Sequence, residues 1–179
     1  MSGVHRVAAG LAVAAMAAIG AGAAAVPAGA QDAGVAHSDQ RNVPEAIRVP
    51  DGNKRIAVMP GRGVQTYQCV NGAFTFVQPD AILEHHGRPE VLHTRGPIWT
   101  DVKDGSSVSG AVQATSPVAG AVPQLLLTAT VIRGPGFLGE VTFIQRLNTT
   151  GGVAPAGSCT EGVTASVPYT ADYAFWVKQ

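Results

Sequence analysis

The chain has 179 residues with 12 basic and 12 acidic side chains, so no formal net charge at pH 7 draws it to nucleic acid or to an anionic membrane. Hydrophobic residues make up 46% of it, too many for a disordered chain. At this length one domain can bury a sizeable core without a structural metal or a dense set of disulfides.

At the N-terminus, His5 and Arg6 precede an apolar, mostly alanine run over residues 7–26, and Pro27 and Ala28-Gly29-Ala30 follow before Gln31. A basic start, an apolar middle and small residues before a cut are the marks of a secretory signal peptide. Cleavage is expected after Ala30. The run approaches the length of a membrane span, but alanine is weakly apolar and the small-residue site argues for removal. No membrane span is expected after that cut. The remaining 149 residues carry 11 basic and 12 acidic side chains, since Arg6 is the only full charge removed.

Residues 31–43 are polar and small, with Asp32, His37, Ser38, Asp39, Gln40 and Arg41, and read as a flexible leader. A single β-rich domain is expected over 44–179. Ile47 to Pro50, the Asp51-Gly52 turn and the run Arg55-Ile56-Ala57-Val58-Met59 open it in the language of strand and turn. From Gly63 a period of two takes over. Val64, Thr66, Gln68 and Val70 alternate with Gln65, Tyr67 and Cys69, and Phe74 and Phe76 oppose Thr75 and Val77 after Asn71-Gly72. Asn-Gly between two such runs predicts a hairpin, because both residues accept the positive φ of a type I′ turn.

The next stretch, 79–93, allows two readings. Pro79, Asp80 and a Gly87 cap would suit a short helix. Two strands, 81–84 and 90–93 around a polar turn at 85–89, fit as well and are preferred. Asp104-Gly105 marks another turn and leads into Ser107 to Val112, small and alternating, after which a loop rich in Ser, Pro, Gly and Ala is expected to reach Pro123. Residues 125–132 form the longest apolar run and read as a buried central strand. Strands over 140–147 and 167–177 complete the pattern. The expectation is a mainly β chain with little helix, an antiparallel β-sandwich or barrel of about eight to nine short strands.

Chemistry is sparse. Gly134-Pro135-Gly136-Phe137-Leu138-Gly139 matches G-x-G-x-x-G, but β-branched and aromatic residues follow it where a dinucleotide site needs a helix, and Pro135 removes a backbone donor. No cofactor is expected. Glu84, His85, His86, Glu90 and His93 are ligand types within ten residues, yet adjacent histidines on a strand point apart and no paired metal spacing occurs. No metal site is expected. Cys69 and Cys159 are the two cysteines, and in an oxidising compartment they are expected to pair.

Gly63-Val64-Gln65 with Tyr67 and Cys69, His93 with Gly96-Pro97 and Trp99, Asp104-Gly105-Ser106, Gln145-Arg146 with Thr149, Gly151-Gly152, Pro155, Cys159, and Pro168-Tyr169, Ala171, Tyr173 and Phe175 form one set along the chain. Together they resemble the secreted family catalogued as domain of unknown function 3455. The resemblance covers nearly all of 44–176, with Gln124 standing where the family often has an aromatic before its leucine run. It implies export and no particular activity.

Two classes of function remain. In the first, a rigid β scaffold at the cell surface or outside it is a binding or structural module that presents loops and aromatic side chains such as Trp99, Tyr169 and Tyr173, with Trp99, Arg146 and Tyr169 as ligand-binding candidates and a small molecule or an envelope polymer as partner. In the second, a small extracellular hydrolase uses His93 as general base with Asp101 or Asp104. The low content of ionisable groups and the lack of a G-x-S-x-G nucleophile motif favour the first.

Overall fold

The structure, a computed structural model, describes residues 40–179. The expected signal peptide over 1–30 and residues 31–39 of the expected leader lie outside the described residues. A single 3₁₀ turn, Glu45–Ile47, precedes eight strands: β1 (Asn53–Val70), β2 (Ala73–His85), β3 (Arg88–Thr94), β4 (Ile98–Asp101), β5 (Ser107–Val118), β6 (Ala121–Arg133), β7 (Val141–Gly151) and β8 (Thr164–Lys178). Each strand pairs antiparallel with its sequence neighbours and β8 returns to pair with β1, so the sheet closes into a barrel. Closure removes every sheet edge, which the strand pattern alone left open between barrel and sandwich.

Turn chemistry sets the hairpins. Asn71 and Gly72 adopt φ of 51° and 79°, as the type I′ hairpin requires. The 79–93 stretch is a second hairpin of the same kind, with His86 and Gly87 at 51° and 74°. Its turn is tighter than the five residues expected. The predicted loop before Pro123 is instead the β5–β6 hairpin, and shifts of register at Val112/Ala114 and Ser116/Val118 absorb its irregular residues. The apolar run over 125–132 is also only half buried. Leu125, Leu126 and Leu127 are buried, whereas Val131 and Ile132 are 40% and 54% exposed. A barrel strand has an outer face and an end beyond the core, so a continuous apolar run does not imply burial along its whole length.

One face of each strand fills the interior. Met59, Leu83, Val91, Trp99, Val108, Leu127, Leu138, Ile144, Tyr173 and Phe175 belong to one buried cluster. The close approach of β1 and β2 depends on Gly63, where an added Cβ would lie 2.0 Å from the Asp80 carbonyl oxygen and 2.5 Å from the Ala81 Cα.

A second core lies outside the barrel. Ile47 and Val49 cover Leu126, Ala174 and Trp176, and Val43 packs at their margin. The strap's polar atoms are satisfied by two glutamines. Gln40 accepts a bond from Val49 N at 2.6 Å and donates to Val49 O at 3.0 Å. Gln145 accepts from Trp176 Nε1 at 2.9 Å and donates to Ile47 O at 2.7 Å. Among the described residues packing reaches back to Gln40, which is buried and lies within the stretch expected as a leader. Gln145→Leu leaves the Trp176 N–H and the Ile47 carbonyl buried without these partners, and about 2 kcal/mol of stability should be lost in urea unfolding.

Cys69 and Cys159 form the expected disulfide, with Cα atoms 5.8 Å apart. Around it, Cys69 N donates to Val163 O, Gly162 N to Cys69 O, and Asn71 N to a Glu161 carboxylate oxygen. The long 152–163 connection is thereby fastened to the first hairpin.

Candidate ligand-binding cup

The two ends of the barrel differ. At one end the 134–139 loop turns inward, and Leu138, fully buried, joins the core. Asp104 and Ser106 hold it there: the Asp104 carboxylate accepts from Phe137 N at 2.7 Å and from Ser106 N at 2.7 Å, while Ser106 Oγ accepts from Leu138 N at 3.0 Å. These bonds hold the Asp104 carboxyl below its usual value, the Ser106 contacts first among them. Gly134 to Gly139 thus make a plug, with the Gly134-Pro135 peptide cis. Asp101 belongs to the same end. It is buried, and its Oδ1 accepts from Lys103 N at 2.7 Å and Asp104 N at 3.1 Å, so it organises the β4–β5 turn.

At the other end the interior is open as a cavity of about 560 Å³. Strand registers place its walls. His93 stands opposite Trp99, Leu125 opposite Arg146, and Arg146 opposite Tyr173. Gln65 and Tyr67 come from β1, Leu127 from β6, and Phe76, Arg95, Pro97 and Val112 stand around them. The His93 and Trp99 rings stack with centroids 4.1 Å apart and planes 6° apart, and Tyr173 meets both edge-on. Gly110 leaves room for this stack, since a Cβ there would come within 2.8 Å of the Trp99 ring.

The electrostatics follow from burial. His93 Nδ1 lies 3.0 Å from Ile98 O, and because a carbonyl only accepts, Nδ1 carries the proton and Nε2 the lone pair. Burial, the largest cause, lowers its pKa from 6.5 to about 4, with Arg146 pushing the same way and the Ile98 bond and Asp80 opposing. The imidazole is neutral at pH 7. Burial also raises Tyr67, Tyr169 and, most strongly, Tyr173, while Arg146 pulls all three down. The Tyr169 and Tyr173 hydroxyls are 3.0 Å apart, and Tyr67 donates to Gly152 O at 2.5 Å.

Of the residues singled out from sequence, the fold brings His93, Trp99, Arg146 and Tyr173 to this cup. Tyr169 stands behind it, reaching it through Tyr173. Asp101 and Asp104 serve the turn and the plug, and the His93 Nδ1 bond goes to a backbone carbonyl. Of the ligand-type residues near the second hairpin, Glu90 is buried and bonds His85, at 3.2 Å, and Lys103. Burial raises the Glu90 pKa, but these two partners outweigh it and leave the carboxyl below its usual value. His93, inside the barrel, is not among them.

Sequence reasoning does not pick out Gln65, Tyr67, Leu125 or Leu127 as site residues. One signal exists for the first two. Gln65 and Tyr67 share the alternating face of Cys69, and a glutamine on a face that also carries a cystine and an aromatic marks a polar group turned inward.

The family model described as Protein of unknown function (DUF3455) matches residues 84–177, from the end of β2 to the end of β8. That span supplies His93, Trp99, Arg146 and Tyr173 but not the β1 wall with Gln65 and Tyr67. No curated protein and no solved structure matches the chain. The match takes in more than half of the chain, which belongs to this family of unknown function.

Proposed function

We propose that this is an exported protein that binds one small, mostly apolar molecule inside the open end of its barrel. The observation that carries the reading is the cavity of about 560 Å³, walled by Leu125, Leu127, Val122, Phe76 and Trp99 with a few polar groups among them. An eight-stranded barrel is just wide enough either to fill with side chains or to hold one small ligand, and here one end is filled and the other is not. Ligand sites in general have this size and this balance of apolar wall and few polar groups. A cup in a barrel whose opposite end is plugged by the 134–139 loop suits a small molecule better than an envelope polymer. Export rests on the signal-like pattern over 1–30, and a disulfide is compatible with it. Among the described residues no helix is long and apolar enough to cross a membrane.

The hydrolytic alternative draws on a neutral His93 with a lone pair at Nε2, the form a general base needs. It would have to draw Asp101 or Asp104 away from turn N–H groups, and the cup offers no nucleophile beyond water. Binding requires neither.

Titration with the neutral apolar fluorophore N-phenyl-1-naphthylamine tests the binding reading without involving charge. Saturable one-to-one binding with a blue-shifted emission is expected, and Val112→Trp at the mouth should abolish it. A wild type that shows no saturable binding would overturn the reading.

A further inference from the structure

The cup contains a cation that makes no ion pair among the described residues. Arg146 projects inward from β7, between Leu125 of β6 and Tyr173 of β8. Its Nε and Nη2 both donate to Pro123 O, at 3.0 and 2.9 Å. A carbonyl orients the guanidinium but does not neutralise it, nor does the Tyr173 hydroxyl that also lies beside it, and these contacts use only part of its N–H donors. Among the described residues no carboxylate lies within ion-pair distance of Arg146, although Glu84 and Glu90 are both paired elsewhere. The electrostatic reach of this cation is visible in its neighbours, since it acts on Tyr67, His93, Tyr169 and Tyr173. The opposing charge is Asp80 on β2, which acts on His93 and Tyr169 and bonds Gln78. Holding a charge among apolar groups without a counter-ion is costly, and a ligand that brings the counter-ion removes that cost.

Two further donors accompany it. Trp99 Nε1 is buried with no acceptor among the described residues, and so is Gln65 Nε2, although the Gln65 side chain lies beside the Tyr169 hydroxyl. Both residues are at most 2% exposed and both line the cavity. Buried N–H groups without partners are uncommon in folded proteins, and their placement around one cavity is a common reason to look for a ligand acceptor. Two unpartnered donors therefore gather at the cavity that holds Arg146.

We propose that the ligand of this cup is an amphipathic carboxylic acid, its carboxylate held by Arg146 and its apolar body lying along Leu125, Leu127 and the Trp99 ring. The proposal rests on the binding reading above and names its ligand class. A planar guanidinium takes a carboxylate through paired N–H···O bonds, which makes it selective for an acid over the corresponding alcohol. Arg95, exposed at the mouth, adds a second positive charge on the path of entry.

The test compares acids with matched alcohols on the full chain by calorimetric titration. Dodecanoate against dodecanol, below micelle-forming concentrations, and 2-naphthoate against 2-naphthol cover a flexible and a rigid apolar body. In wild type at least one acid should bind about ten- to hundred-fold tighter than its alcohol, the range expected of hydrogen bonds to a charged group. Arg146→Met keeps the apolar stem and should bring that ratio to about one while alcohol binding persists, and persistence of alcohol binding also shows that the cup has folded. Arg146→Lys should retain part of the preference. Equal binding of acid and alcohol in wild type, or a preference that survives in Arg146→Met, overturns the carboxylate inference and leaves the cup as a neutral site. Failure of all four probes, together with N-phenyl-1-naphthylamine, overturns the binding reading itself.

Discussion

Replacing Cys69 and Cys159 together by alanine should lower the unfolding free energy by about 4 to 5 kcal/mol, more than the loss of any hydrogen-bonded partner in the fold. The bridge joins residues 90 apart in sequence, so in the chain-entropy picture it restricts most of the unfolded domain. Native-state contacts add to this locally. The cystine lies among the bonds that fasten the 152–163 connection to the Asn71-Gly72 hairpin, and Tyr67, two residues before Cys69, donates to Gly152 at the start of that connection. The double variant should therefore show both a lower urea midpoint and faster amide exchange in 152–163. A loss below about 1 kcal/mol would mean that these backbone bonds already close the loop in the reduced chain, and the entropic account would be wrong.

Acidification should expose the second large effect. His93 titrates near 6.5 when unfolded and near 4 when buried beside Trp99 and Tyr173. Above about pH 6.5 the ring is neutral in both states and adds no pH dependence. As pH falls from about 6.5 to about 4, the unfolded chain takes up the proton first, so the folded state loses stability, by about 3 kcal/mol across that window. His93→Gln removes the titration while keeping a side-chain N–H for Ile98 O. Unfolding free energies of the two proteins, measured by urea at pH 7 and pH 4.5, should therefore converge toward acid. Glu90 and Asp104, whose pKa values are lowered, also weaken the fold in acid, but they do so equally in both proteins and cancel in the difference. Parallel pH profiles for wild type and His93→Gln would show that the imidazole is not buried as described.

Much of the local structure was legible because it is written in short-range terms. Asn71-Gly72 specified a turn of positive φ, and the alternation around Tyr67 and Cys69 specified strand. Glycines followed by Val141, Thr142 and Phe143 could not open a helix, and the structure makes them a plug before β7. The errors fall where local composition and strand pairing disagree. Ser116 and Pro117 read as loop, yet the β5–β6 ladder carries them as strand with bulges. Val131 and Ile132 read as core, yet they lie beyond the part of β6 that faces the interior or the strap. In each case the deciding interaction is with a residue distant in sequence.

The same division runs through the site. His93, Trp99 and Arg146 stood out as types able to bind or to react, but nothing in their spacing says that they share a cavity. Arg146 reaches the cup only because β7 lies between β6 and β8 in a register that sets it between Leu125 and Tyr173. His93 meets Trp99 because a tight turn makes them cross-strand partners. Asp101 and Asp104, close to both in sequence, are drawn to the opposite end by the backbone N–H groups they accept from.

A β-rich chain, its main hairpins and its cystine could thus be read without coordinates, because turn residues, period-two alternation and two cysteines act through local geometry and pairwise chemistry. Long-range pairing settled the rest: that β1 and β8 close a barrel, that residues 40–49 cover its outer face, and that one end is plugged while the other holds an arginine with no ion pair among the described residues. Those outcomes depend on which strand faces which and in what register, and that is fixed by packing among residues far apart along the chain.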